Sequence, residues 1–296
     1  GVYLVDLGSG DIEQVVDWDD GAISWEGRGA ERGLRGIAFY EEVILIAASN
    51  RVIAFDRDFN VVDSFANPYL KHLHEIHRAG DLLWVSSTEF SSVLGFDLKQ
   101  GRFSIACHVT RTYPSSWAGR LNAFPRYWLR NFDPQAPDEP PAKGSLHVNN
   151  VFVHEGSLLL SGTGARHVLE VADGQVRPYA RVPRGTHNAH PFREGVLANH
   201  TASNRIAFMS RRGRLKRSFP IKTYQESELE HSSLPADHAR QAFGRGLCTW
   251  KGRLLIGGSS PATISAIDFD TGERLACVNI RMDVRNAIHG LEIWPF

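Results

Sequence analysis

Ile267-Asp268-Phe269-Asp270-Thr271-Gly272 decides how this chain folds. An apolar residue is followed by Asp, a few turn residues and Gly. The same phrase stands at Val5-Asp6-Leu7-Gly8-Ser9-Gly10, at Phe55-Asp56-Arg57-Asp58-Phe59-Asn60 and at Phe96-Asp97-Leu98-Lys99-Gln100-Gly101. Two degenerate copies, Val171-Ala172-Asp173-Gly174 and Met209-Ser210-Arg211-Arg212-Gly213, fill the gap. Asp or Ser can bond the local backbone, and Gly or Asn accepts a positive φ. Each copy therefore reads as a hairpin turn.

A second phrase precedes each turn: a strand, a short turn, then a very apolar strand. It runs at residues 36–40 then 43–46, 74–77 then 82–85, 150–153 then 158–160, 191–192 then 196–198, and 247–250 then 254–256. A sixth start, Gly290-Leu291-Glu292-Ile293-Trp294, ends the chain. The unit is four short strands repeated every ~35–45 residues, the period of a propeller or similar array. Such sheets bury both faces only by packing radially around an axis. The expected fold is all-β: a six-bladed β-propeller with four-stranded blades, one domain over residues 1–296. Its last blade takes a first strand from 289–296 and its third and fourth from 1–17, so that the two termini close the ring.

On these repeats the chain resembles the six-bladed propellers of the NHL, SMP-30/gluconolactonase and strictosidine-synthase-like group. The Asp-turn-Gly phrase is also similar to surface-layer YVTN repeats. The resemblance covers the whole chain, and its motifs are architectural. For gluconolactonase-like relatives it implies a central divalent metal held by Glu, Asn and Asp; those ligands have no residue-by-residue match here. His147-Val148-Asn149-Asn150 is similar to the His-Leu-Asn-Gly-like inner strands of some bacterial propellers.

Composition mostly excludes. Thirty-three basic and 33 acidic residues balance among 296, which argues against a nucleic-acid partner. The longest apolar runs, such as residues 43–48, fall far short of the ~20 residues that span a bilayer, so no membrane partner is expected. Three cysteines (Cys107, Cys248, Cys277) make no disulfide framework. The expected compartment is the cytoplasm; a removed secretion signal stays open, because the chain starts directly on strand-like Val2-Tyr3-Leu4-Val5. No Gly-x-Ser-x-Gly elbow appears, and the Gly-x-Gly pairs lack a Walker lysine.

Two inserts interrupt the repeat, residues 111–144 with Trp117, Tyr127 and Trp128, and residues 222–243 with Glu226, Glu228, Glu230, His231 and a short helix expected over 235–243. Each joins the fourth strand of one unit to the first of the next. Both should therefore overhang the mouth of the channel as lids.

The 13 histidines are the best functional lead. His72 and His74, His147, His187 and His190, and His289 lie at or near the start of a first strand. Aligned within one or two residues, His72, His147, His187 and His289 take one place in four units, and Arg35 and Arg245 take it in two others. First strands are innermost, so these side chains should ring the axis. Imidazoles from separate blades suit Fe, Mn or Zn. A polar, substrate-contacting funnel needs the same residues without a metal. The favoured reading is a divalent-metal-dependent enzyme acting on a small, possibly anionic substrate by hydrolysis, elimination or oxygenation. His72, His74, His147, His187, His190 and His289 are its metal candidates, Glu75 a general base, and Arg35 and Arg245 its anion clamps. Asn149, Asn188, Trp117 and Trp128 are substrate-contact candidates. The alternative is a non-catalytic propeller binding a small ligand, peptide or protein at the same face; oligomeric state is left open.

Overall fold

The computed structural model describes residues 1–19, 21, 33–112, 125–136, 143–236 and 239–296. A two-stranded hairpin comes first, β1 (Val2–Val5) with β2 (Ile12–Val16). Five antiparallel sheets follow in chain order. Blade one holds β3 (Ile37–Tyr40), β4 (Val43–Ala47), β5 (Arg51–Phe55) and β6 (Val61–Ala66). Blade two holds β7 (Leu73–Ala79), β8 (Leu82–Ser87), β9 (Ser92–Asp97) and β10 (Arg102–Thr112), with β11 (Arg126–Phe132) added outside β10. Blade three holds β12 (Val148–His154), β13 (Ser157–Gly162), β14 (His167–Ala172) and β15 (Gln175–Arg181). Blade four holds β16 (Thr186–Phe192), β17 (Gly195–His200), β18 (Arg205–Ser210) and β19 (Leu215–Pro220). Blade five holds β20 (Leu247–Trp250), β21 (Leu254–Ser259), β22 (Thr263–Asp268) and β23 (Arg274–Asn279).

The turn chemistry explains the hairpins. Asp97 Oδ1 accepts from the amides of Lys99 (3.0 Å) and Gln100 (2.9 Å), and Asp268 Oδ1 from those of Asp270 (2.8 Å) and Thr271 (2.9 Å). Middle strands are covered on both faces by neighbouring blades, which is why they read as unbroken apolar runs. In one shared cluster Leu45, Val52 and Ala54 of blade one meet Leu73, Leu83 and Leu94 of blade two. Outer strands such as β6 are largely exposed.

Among the described residues the sixth four-stranded blade is not formed and the C-terminal segment supplies no strand: five blades are complete, and β1 and β2 pair with each other. The sector between blades five and one is filled by that hairpin and residues 285–296. Val5, Leu7, Ile288 and Leu291 pack on blade five, while Val2, Val16, Trp294 and Phe296 pack on blade one. Among the described residues, closure here is made by side-chain packing rather than by a full ladder. Gly290 marks the tightest point, since a Cβ there would run into the Arg35 carbonyl. Gly290→Ala is expected to lower stability by about 1–3 kcal/mol, the usual cost of overpacking; thermal unfolding of the variant checks this.

The inserts differ from expectation. Residues 126–132 form an outer strand of blade two rather than a lid, because β10 is long enough to pair a fifth strand. In the second insert the described residues contain only a 3-10 turn, Glu226–Glu228, in place of the helix over 235–243. No helix in the described residues is long and apolar enough to cross a membrane.

Candidate functional site

The inner strands are β3, β7, β12, β16 and β20. Counting back five residues from the one that closes each hairpin (Tyr40, Ala79, His154, Phe192, Trp250) gives Arg35, His74, Asn149, His187 and Arg245. Four of these, Arg35, His74, His187 and Arg245, line one cavity on the axis; Asn149 does not. His289 joins them from the C-terminal segment: it precedes Gly290 as Arg35 precedes Gly36 and Arg245 precedes Gly246. A Cβ at Gly36 would lie 2.6 Å from the His74 carbonyl, so glycine lets neighbouring sectors approach closely just below the ring. Alignment on residue type selects His72 and His147; alignment on the hairpins selects His74 and Asn149. His72 and His147 sit two residues earlier, both in left-handed conformation (φ 52° and 51°).

A cavity of about 1250 Å³ opens on this level. His72, His74, His147, His187 and His289 line it together with Arg35 and Arg245. The rings of His147 and His289 stand 5.7 and 5.9 Å from that of His74. An Arg35 guanidinium nitrogen lies 3.2 Å from His74 Nδ1, and Arg245 donates to His289 Nε2 at 3.2 Å. Burial, then the nearby guanidiniums, hold His74, His187 and His289 well below the usual imidazole range and bring His147 to about 4. These rings are neutral at pH 7, so the fixed charge at this level belongs to the two arginines.

Other cations reach the cavity but are engaged elsewhere. Arg240 donates to Asn204 Oδ1 and the Thr201 carbonyl, Arg285 grips the Asp283 carboxylate, and Lys143 lies 3.5 Å from Glu89. His72 also contacts Glu89, at 3.0 Å. The second insert does reach the mouth: Ala236, Ala239, Arg240 and Phe243 line the cavity, and Arg245 lies over the Phe243 ring at 4.4 Å.

Below the ring, burial pushes the Glu75 carboxyl up to about 8, opposed by a hydrogen bond to Asn188. Glu75 is thus protonated at neutral pH. It favours folding below its unfolded value near 4.5, and that contribution is lost as pH rises through about 8. Glu75→Gln is therefore expected to exceed the parent's stability already at pH 7, and by somewhat more at pH 9; urea melts at the two pH values check this.

The remaining candidates lie apart. His190 does not line the cavity: it stacks on Phe152 (5.3 Å), which in turn meets His77 at 4.4 Å. These three close on equivalent positions of β16, β12 and β7, one turn of the pleat deeper than the ring. Asn149 is 1% exposed with neither side-chain atom bonded, and Asn188 is buried against Glu75. Trp128 is on the outer face of β11, 56% exposed and donating to Thr112 Oγ1. Trp117 lies outside the described residues. Among the described residues, the group whose three ligand atoms come within 4.8 Å of one another is Glu230, His231 and Asp283, not a set from the ring. There Arg285 already neutralises Asp283, and a bridge between Glu230 and Asp283 ties the second insert to the C-terminal segment.

No family model matches the chain, and no curated protein matches it. Among solved structures, a protein of unknown function from Bacteroides caccae is similar over 96% of this chain and 92% of its own, with a TM-score of 0.58 at 12% identity. A catalytically inactive variant of virginiamycin B lyase from Staphylococcus aureus, solved with quinupristin, is similar over 85% of this chain and 71% of its own, with a TM-score of 0.49 at 13% identity. At such identities the likeness is one of fold. The resemblance to the NHL and gluconolactonase-like group likewise holds for the propeller alone.

Proposed function

We propose that the axial cavity is the active site of an enzyme acting on a small anionic substrate. One observation carries this reading: two guanidiniums, Arg35 beside His74 and Arg245 beside His289, line one cavity on the axis. A guanidinium fork matches a carboxylate or phosphate edge. Neutral imidazoles supply bases, and Glu75 holds a proton up to about pH 8. Glu75 lies below the cavity, and in its lining burial raises Glu292 to about 7; titratable groups pushed apart in this way are what acid–base catalysis requires. Proton transfer on a substrate clamped by the arginines is the step common to the hydrolytic and eliminative versions of this chemistry.

A divalent Fe, Mn or Zn ion held by His74, His147, His187 and His289 is the second reading. What favours it is that burial keeps these imidazoles in their ligating, neutral form. What opposes it is the positive charge of Arg35 and Arg245 beside two of them. Calorimetric titration with succinate and malate, alongside elemental analysis of untagged protein, separates the readings. The anion reading expects saturable binding of a dicarboxylate that survives EDTA. Stoichiometric metal with no anion binding unless the metal is present would replace it with the metal reading. Tight anion binding with no turnover of any tested hydroxy acid or ester would leave a binding propeller instead.

A further inference from the structure

The ring histidines of blades two and four are held by one device used twice. In blade two, His74 Nδ1 lies 3.0 Å from the His72 carbonyl and 2.9 Å from Thr88 Oγ1. Thr88 spends its own proton on the Val148 carbonyl of the next blade, at 2.7 Å. In blade four, His187 Nδ1 lies 2.9 Å from Thr201 Oγ1, and the His187 ring also bonds the Gly185 backbone. Thr201 donates to the Gly244 carbonyl of the next blade, at 3.0 Å. The correspondence is residue for residue. His72 and Gly185 are both left-handed (φ 52° and 81°), which turns their carbonyls back toward the ring two residues later. Val148 and Gly244 both directly precede the residue five before the close of their hairpin, Asn149 and Arg245.

A carbonyl oxygen only accepts, and each threonine has one proton, already given away. The His72 carbonyl and the two threonine oxygens that face Nδ1 are therefore acceptors, and Nδ1 carries the hydrogen. Arg35, 3.2 Å from His74 Nδ1, is outvoted by two acceptors there and donates instead to the Leu73 carbonyl. Nε2 of each ring is left as a bare lone pair in a cavity-lining side chain. A neutral imidazole in this tautomer cannot donate to an anion. It needs a donor from the ligand.

We propose that Thr88 and Thr201 are positioning residues that fix His74 and His187 as Nδ1–H tautomers, and that the cavity accordingly selects an anion bearing its own hydroxyl or N–H group. Arg35 and Arg245 take the negative end, and the Nε2 atoms take the donor. This rests on the reading of the cavity as an anion site for its ligand class, but not for the tautomers.

Two measurements on the full chain test it separately. Long-range ¹H–¹⁵N spectra of histidine-labelled protein at pH 7.5, assigned with His74→Gln and His187→Gln, are expected to show protonated Nδ1 and bare Nε2 in both rings. A protonated Nε2 in either ring overturns the role of its threonine, whatever the cavity binds. Calorimetry with succinate, malate and tartrate is expected to show each added hydroxyl tightening binding by about tenfold, the worth of one good hydrogen bond. Thr88→Val and Thr201→Val should lose that preference while still binding succinate, and Thr88→Ser and Thr201→Ser should keep it. Equal affinity for succinate and malate in the parent overturns the ligand class. Binding of none of the three overturns the ligand class and the anion site together, with the spectra still deciding the threonines.

Discussion

Arg245→Gln lowers affinity for malate by about a hundredfold, and Arg35→Gln does the same, while both variants keep the parent's β-sheet spectrum. A hydrogen bond to a charged group contributes ~1.5–3 kcal/mol, and a bidentate pair lies at the upper end of that range or beyond. The loss should be this large because the other described cations that line the cavity, Arg281 among them, are engaged with partners of their own. His74, His187 and His289 are held neutral there by burial and by the arginines themselves. Arg240, Arg285 and Lys143 contact the cavity but are bound to other partners. Glutamine keeps a planar amide head and much of the stem, so the change tests charge rather than volume. The double variant should bind no better than ~mM. Removing either arginine also removes a cause that lowers the histidines, so the pH dependence of whatever binding remains should move upward. Calorimetry across pH 5–8 reads both effects.

Acid unfolds this protein between pH 6 and pH 4. Burial brings His77, His147 and His190 each to about 4, against an ordinary imidazole value near 6.5. In that window the unfolded chain binds protons that the native rings refuse. Stability is therefore fully present above ~6.5 and declines as pH falls, by roughly 1.4 kcal/mol per pH unit for each such histidine. Three of them amount to about 4 kcal/mol per unit, a large share of a typical stability of ~5–15 kcal/mol. Glu75 has the opposite sign, so maximum stability is expected near neutral pH. The structure also supplies the control. Phe152 occupies in blade three the position that His77 and His190 occupy in blades two and four. That site accepts a phenyl ring, so His77→Phe with His190→Phe should shift the acid midpoint downward by about half a pH unit or more, with little change at pH 7. Circular dichroism from pH 7 to pH 3 follows both curves.

The repeat was legible because its signals are local. Asp97 and Asp268 cap their turns through bonds within three residues, and apolar middle strands announce burial on both faces. The missing blade was less so, since residues 290–294 have the composition of an inner strand. Whether a backbone pairs depends on a partner strand, and among the described residues none lies beside 290–294. The level of the axial ring was within reach: a constant count of five from each hairpin reaches Arg35, His74, His187 and Arg245, and grouping by histidine adds His72, His147 and His289, which line the same cavity. The threonine device could not be read. Thr88 and Thr201 follow their second strands by one residue, but their proton goes to a blade that begins some 45–60 positions away. The outward placing of Trp128 was hidden for a similar reason, because pairing of β11 with β10 is decided by the length of β10 rather than by the aromatic itself.

The central claim is that the axis of this propeller holds an anion between Arg35 and Arg245. A difference map from a crystal soaked in malate tests it most directly. The account predicts a carboxylate against both guanidiniums, with the hydroxyl facing Nε2 of His74 or His187. A compact metal peak at bonding distance from several ring histidines, with no carboxylate at either arginine, would contradict it.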